Sequence, residues 1–215
     1  MIDHSHLPKV KADWDYSVYS GIKEDTPDNL PTPRGKPMRL TTYVDANLMH
    51  CLATGRSASG ILHFLNSTPI EWFSKKQSTV EAATYGSEFM AARIAVQQII
   101  DIRMTLRYMG IPLEGPAWLL GDNEGVLKSS TIPASVLKKR HNALSYHTVR
   151  AAIAAGFVEF RHIPGEINPA DMLTKNLAAK PLDELARPLL FWRGLKIEWR
   201  KPTKKEKKEK KEESD

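Results

Sequence analysis

Apolar and polar positions change period along this chain. Residues 39–45 are rich in Thr, Tyr and Val, and 60–65 leads through Asn66-Ser67-Thr68-Pro69 into 70–74. That pattern predicts a hairpin and three antiparallel strands. From about Tyr85 the spacing lengthens: Phe89, Ala92, Val96, Ile99, Ile102, Leu106 and Met109 recur at the helical period, and Gly110 with Pro112 supplies the stop. Residues 117–121 read as a short buried strand followed by a helix from Asn123, and 138–155 as another helix closed by Gly156. A fifth strand at 157–163 runs into the Pro164-Gly165 turn. Asn168-Pro169-Ala170-Asp171 then opens a last helix, with Asn168 as its cap and Pro169 at the first helical position. Three antiparallel strands followed by helix-linked strands imply the α/β class: one five-stranded mixed sheet with helices on its faces.

The flanks differ from this body. Residues 1–37 carry five prolines and no apolar period, which predicts an extended arm that Trp14, Tyr16 and Tyr19 can pin down. Residues 194–215 form a lysine/glutamate-rich tail, and from Lys204 onward it has no apolar residue to bury, so it is expected to be disordered or a solvated helix. The folded domain is thus expected at 38–193. With 215 residues and 41% apolar content there is material for one core and not for a multidomain machine.

Charge adds less than it first suggests. Of the net charge of +6, half comes from the sixteen residues from Arg200 onward, so the body is only mildly basic and a polyanionic partner is permitted rather than required. No apolar run is long enough to span a bilayer, and Met1-Ile2-Asp3-His4 lacks the order of a secretory signal. An intracellular chain, cytoplasmic or nuclear, is expected, with no membrane partner. The single cysteine, Cys51, can form no intrachain disulfide.

Four carboxylates stand at ends of elements. Asp45 closes a β-branched run, where an ordinary turn-forming acid would also fit. Glu88 lies in the first turn of the long helix, four, seven and eleven residues before Ala92, Ala95 and Ile99, which puts it on the inward stripe; an acid near a helix N-terminus is its ordinary alternative. Asp122 follows the strand 117–121, where ligand sites of α/β sheets lie but where a helix cap is equally placed. Asp171 completes an Asn-x-x-acid capping box with Asn168. Gathered at one rim of one sheet, such acids would repel one another without cations. An oxygen-rich, cysteine-free set suits Mg²⁺ or Mn²⁺, and a pair of such ions serves in-line phosphoryl displacement.

At these residues the chain resembles the ribonuclease H domain at the end of the polyprotein of copia-type LTR retrotransposons. The resemblance rests on Tyr43-Val44-Asp45-Ala46, on Gly55-Arg56-Ser57-Ala58-Ser59-Gly60, and on Trp72 to Val80 with its Ser74-Lys75-Lys76-Gln77 core. It continues through Glu88-Phe89-Met90-Ala91, Gly121-Asp122-Asn123, Arg140-His141 with His147, and Asn168 to Lys175, in order, over about 14–193. It implies the ribonuclease H-like fold, an Asp45, Glu88, Asp122 and Asp171 catalytic set holding two Mg²⁺ (or Mn²⁺) ions, and hydrolysis of the RNA strand of RNA–DNA hybrids. Lys75, Lys76, Arg140, His141 and Lys175 are the expected substrate contacts, with a solvated-surface role as the alternative for each lysine and for Arg140. The loop 164–168 lacks the histidine that relatives place before the last acid, and His162 is expected to face sheet or solvent.

No polymerase palm or integrase motif accompanies these residues, so a reverse transcriptase domain supplied elsewhere is an expected partner. Two further readings stay open. One is a catalytically inactive nucleic-acid-binding remnant. The other is an integrase- or transposase-type core, disfavoured because here the glutamate comes second and an aspartate last.

Overall fold

The computed structural model describes residues 19, 22–24, 26, 28–137 and 139–190. Trp14, Tyr16 and the tail from 194 lie outside the described residues. Five strands, β1 (Leu40–Cys51), β2 (Arg56–Leu65), β3 (Thr68–Lys76), β4 (Ala117–Gly121) and β5 (Val158–His162), make one sheet in the order β3-β2-β1-β4-β5. The first three pair antiparallel, while β4 runs parallel to both β1 and β5. The helices are α1 (Thr84–Tyr108), α2 (Glu124–Thr131), α3 (Ala143–Ala154) and α4 (Ala179–Ala186). This is the mixed five-stranded sheet with helices expected of a ribonuclease H-like fold.

Strand alternation divides the core between the two faces of the sheet. Val44, Ile61, Leu119 and Phe160 turn to one side and pack with Phe89, Val96 and Ile99 of α1 and Val149 of α3. Tyr43, Leu62, Phe64 and Leu120 turn to the other and meet Ile163 and Ala170. The β2–β3 connection is tighter than the four-residue turn expected. Only Asn66 and Ser67 lie outside the strands, and Asn66 takes the left-handed conformation (φ 55°) that Asn tolerates best after Gly, while its Oδ1 accepts from the Arg39 N–H.

Two expected helices are corrected. The segment opened by Asn168 is a 3₁₀ turn, Pro169–Leu173, and not an α-helix. Side-chain bonds in both directions hold it across the sheet: Asn168 Nδ2 donates to Val44 O of β1, while Ser74 Oγ donates to Leu173 O and Asn47 Nδ2 to Thr174 O. Carbonyls engaged this way favour the local turn over helix continuation. Likewise the helix expected over 138–155 is regular only from Ala143, with a 3₁₀ turn at Arg140–Asn142 before it.

The described part of the N-terminal arm is anchored to the helices. Tyr19 is buried, its hydroxyl 2.9 Å from His147 Nδ1 and receiving the Arg150 Nε–H at 3.1 Å. Glu24 receives a bidentate pair from Arg103, at 2.7 and 2.9 Å, and a further bond from Arg107. These contacts bring charge pairing under the arm, a feature that the apolar pattern could not reveal.

Candidate active site

Three of the four expected acids converge. Asp45, in the central strand β1, is buried and stands opposite Gly60 of β2. Glu88 projects inward from α1 and is likewise buried, its carboxylate accepting from the Ala46 N–H of β1. It occupies the second turn rather than the first, since α1 begins at Thr84. Asp122 follows β4. One carboxylate oxygen from each of Asp45, Glu88 and Asp122 lies within 4.8 Å of the others.

The ordinary structural role of each later acid is taken by a neighbour. The cap of α2 is Asn123, whose Oδ1 accepts from Val126 N at 3.1 Å, so Asp122 is not spent on capping. The capping box at Asn168 is not formed either: the Asn168 N–H bonds to Gly165 O, and the Asp171 carboxylate pairs with Lys175 instead. Asp171 therefore stands beside the triad rather than within it. The Lys175 ammonium bridges the two parts, 2.8 Å from Asp171 Oδ1 and 3.3 Å from Asp45 Oδ1. The Thr174 hydroxyl donates to Asp45 Oδ2.

The electrostatics of this cluster are strained. Burial, then the charges of Asp45 and Asp122, push the Glu88 carboxyl up to about 9. Burial and the Asp45 charge raise Asp122. Asp171 is raised to about 6 by burial and the Asp45 charge, against the opposing bond from Lys175. Lys175 is raised despite its own partial burial, because Asp171 and Asp45 both favour the ammonium. Among the described residues neither Glu88 nor Asp122 forms an ion pair, whereas Asp171 keeps its raised value with Lys175 beside it.

The expected substrate contacts fall into two groups. Lys75, Lys76 and Lys175 line one cleft of about 360 Å³ together with His50, Thr174 and Asn176. Arg140 and His141 lie on the turn ahead of α3, where His141 Nε2 is 3.3 Å from the buried Glu81 Oε2. Among the described residues no hydrogen bond or ion pair joins that turn to the four acids.

His162 was expected to face sheet or solvent; its half-buried ring places Nε2 3.0 Å from the backbone Asp122 O, and because a carbonyl only accepts, this nitrogen is the donor. The β4–β5 register, which opposes Gly121 and His162, is the reason. Sequence reasoning could have found it only by fixing that register. The bridging role of Lys175 had a clearer signal, its spacing of four from Asp171.

No family model matches the chain. It is 27% identical over 165 residues to the retrovirus-related Pol polyprotein from transposon RE2 of Arabidopsis thaliana, which covers 76% of this chain and 11% of that polyprotein. The corresponding polyprotein from transposon RE1 of the same plant is 27% identical over 153 residues, covering 71% of this chain and 10% of its own length. Homologues of this chain are thus retrovirus-related Pol polyproteins of copia-type transposons, and the chain spans about a tenth of their length. Among solved structures, RNase H1 from the halophilic archaeon Halobacterium salinarum NRC-1 aligns with a TM-score of 0.47 at 17% identity, over 63% of this chain and 94% of that one.

Proposed function

We propose that residues 38–193 form a metal-dependent endoribonuclease of the ribonuclease H type, which hydrolyses the RNA strand of RNA–DNA hybrids. The observation that carries this reading is the convergence of Asp45, Glu88 and Asp122, from a central strand, a long helix and a strand end, to within 4.8 Å. Their chemistry fits a hard divalent cation. All three offer oxygen, two are buried, and Glu88 is driven far from its ordinary ionisation by burial and then by the other two charges. These three residues would hold a Mg²⁺ or Mn²⁺ ion, and Asp171 with Asp45 would complete a place for a second. When bound, such ions activate water and stabilise charge on the phosphate and on the 3′ leaving oxygen.

The protein's own part is orientation. Lys75, Lys76 and Lys175 present positive charge along the cleft beside the acids, suited to a sugar–phosphate strand, and Arg140 with His141 offers a second contact on the turn before α3. Recognition of the RNA strand would rest on groove shape and 2′-hydroxyls rather than base sequence. Cleavage would leave 5′-phosphate and 3′-hydroxyl ends. A reverse transcriptase domain would be the natural source of further grip on the hybrid.

The deciding experiment is cleavage of an end-labelled hybrid with Mg²⁺, set beside duplex RNA and duplex DNA, for the wild type and Asp122→Asn. Cutting of the hybrid alone, lost on chelation and in the variant, supports the reading. Equal cutting by both proteins rejects it, and salt-sensitive hybrid binding without turnover would select the inactive nucleic-acid-binding reading instead.

A further inference from the structure

The four acids are not equivalent once the donors around them are counted. Asp45 Oδ2 takes the Thr174 hydroxyl, and Asp45 Oδ1 takes the Lys175 ammonium, which Asp171 Oδ1 shares at 2.8 Å. A cation already sits between Asp45 and Asp171. Glu88 and Asp122 feel Lys175 only at longer range: among the described residues no lysine or arginine forms an ion pair or hydrogen bond with either carboxylate.

The backbone that delivers Lys175 is firmly placed. Asp171 O accepts from both Thr174 N and Lys175 N, at 3.2 and 2.9 Å, and Ser74 and Asn47 hold the flanking carbonyls. Gly60 makes the approach possible, because a Cβ there would stand 2.6 Å from Thr174 Cγ2 and 2.8 Å from Ala170 O. Withdrawal of this segment would break several bonds at once. The lysine side chain is freer. It is about one third exposed and also lines the cleft shared with Lys75 and Lys76, so its ammonium can reach a phosphate there by rotation of its own four-carbon stem.

We infer that Lys175 is the built-in cation of the Asp45–Asp171 half of the site. The free protein then takes up one divalent ion, at Asp45, Glu88 and Asp122, and admits a second only when Lys175 turns to a phosphate in the cleft. This rests on the metal-dependent reading above and adds to it a residue: the lysine that keeps the Asp45–Asp171 half closed to a cation until a phosphate draws it away. A phosphodiester drawn to Lys75 and Lys76 both competes for the ammonium and uncovers two carboxylate oxygens for the incoming cation.

The test is a count of bound Mn²⁺ by electron paramagnetic resonance and calorimetry on the full chain, with no nucleic acid present. One ion per wild-type chain, two per Lys175→Met chain and one per Lys175→Arg chain are expected. A return to one ion in Lys175→Met/Asp171→Asn would place the added ion at Asp171. Two ions in the free wild type, or an unchanged count in Lys175→Met, would overturn the inference while leaving the nuclease reading intact. No binding at all, or binding indifferent to Asp122→Asn, would instead remove the reading on which it rests. Should Lys175→Met fold poorly without metal, the wild-type and Lys175→Arg counts still decide, because two ions in either chain contradict a lysine or arginine held in that place.

Discussion

Gly60 lies directly opposite Asp45 across the β1–β2 pair, and the space left by its missing side chain is filled by the 3₁₀ turn that carries Asp171 and leads to Thr174 and Lys175. The pairing thus joins a backbone requirement to the chemistry of the site. Gly60→Ala would place a methyl within 2.9 Å of Thr174 Cγ2, Ala170 O and Leu173 Cβ, and one of these is backbone. The expected cost is ~1–3 kcal/mol, as for overpacking elsewhere. Urea unfolding with and without Mg²⁺ checks it: the variant should lose stability in both conditions and should also bind the ion less tightly, because Asp45 loses its neighbours.

The charge pairing under the N-terminal arm gives an acid-side signature. Arg103 and Arg107 hold the Glu24 carboxyl down at about 2 although burial alone would raise it. A depressed folded-state value means stability that is present above the unfolded value near 4.5 and lost as pH falls toward 2. Thermal melts between pH 6 and 2.5 should therefore show a loss in the wild type that is shallower in Glu24→Gln. At pH 7 the variant should be less stable by ~1–3 kcal/mol, since two arginines at 5% and 22% exposure lose the negative charge and one of the two acceptor oxygens of Glu24.

Glu88 has the opposite sign. Its folded-state value, about 9, lies above the ordinary 4.5, so between these limits the native state keeps a proton that the unfolded chain has released. Stability of the metal-free protein should fall as pH rises through that window. Glu88→Gln should remove this dependence, raise metal-free stability at pH 8 by ~0.5–2 kcal/mol and abolish metal binding. A divalent ion favours the ionised carboxylate, so its uptake at pH 7 should release protons. Calorimetry in two buffers of different ionisation enthalpy reads that release directly, and a buffer-independent heat would contradict it.

The sheet and the inward placing of Glu88 were legible because both rest on local pattern. β-branched runs marked β1, the 3.6-residue stripe put Glu88 inside, and β4 was located by five apolar residues, Ala117–Gly121. What stayed hidden depends on contacts distant in sequence. Asp122 and Asp171 each sat in a convincing capping context, and only the bonds actually made by Asn123 and Asn168 show that neither acid is used that way. The turn at Pro169–Leu173 read as a helix because its caps are real, while the bonds from Ser74 and Asn47 that stop it come from 99 and 127 residues away. His162 reaches Asp122 through strand register, which no single-strand pattern encodes.

The Glu81–His141 pair links the turn ahead of α3 to the start of α1, and it depends on a second glycine. Gly86 has no Cβ, and a methyl there would come within 2.2 Å of Glu81 Oε2 and 3.3 Å of Asn142 Nδ2. Glu81 is 6% exposed, whereas His141 is largely solvent-facing, so the acid is the buried anchor and the imidazole the outward group. Removing only His141 leaves the buried carboxylate with the long bond from the Thr79 hydroxyl, at 3.4 Å, while removing the charge as well relieves it. His141→Ala should therefore destabilise the fold by ~1 kcal/mol or more, and adding Glu81→Gln should recover part of that loss. The same variants separate anchoring from substrate contact. If His141 meets a phosphate, His141→Ala weakens hybrid binding and flattens its salt dependence by about one unit of slope, whereas Glu81→Gln leaves the slope in place. Equal effects of both variants on stability, with the salt dependence untouched, would assign the pair to the fold alone.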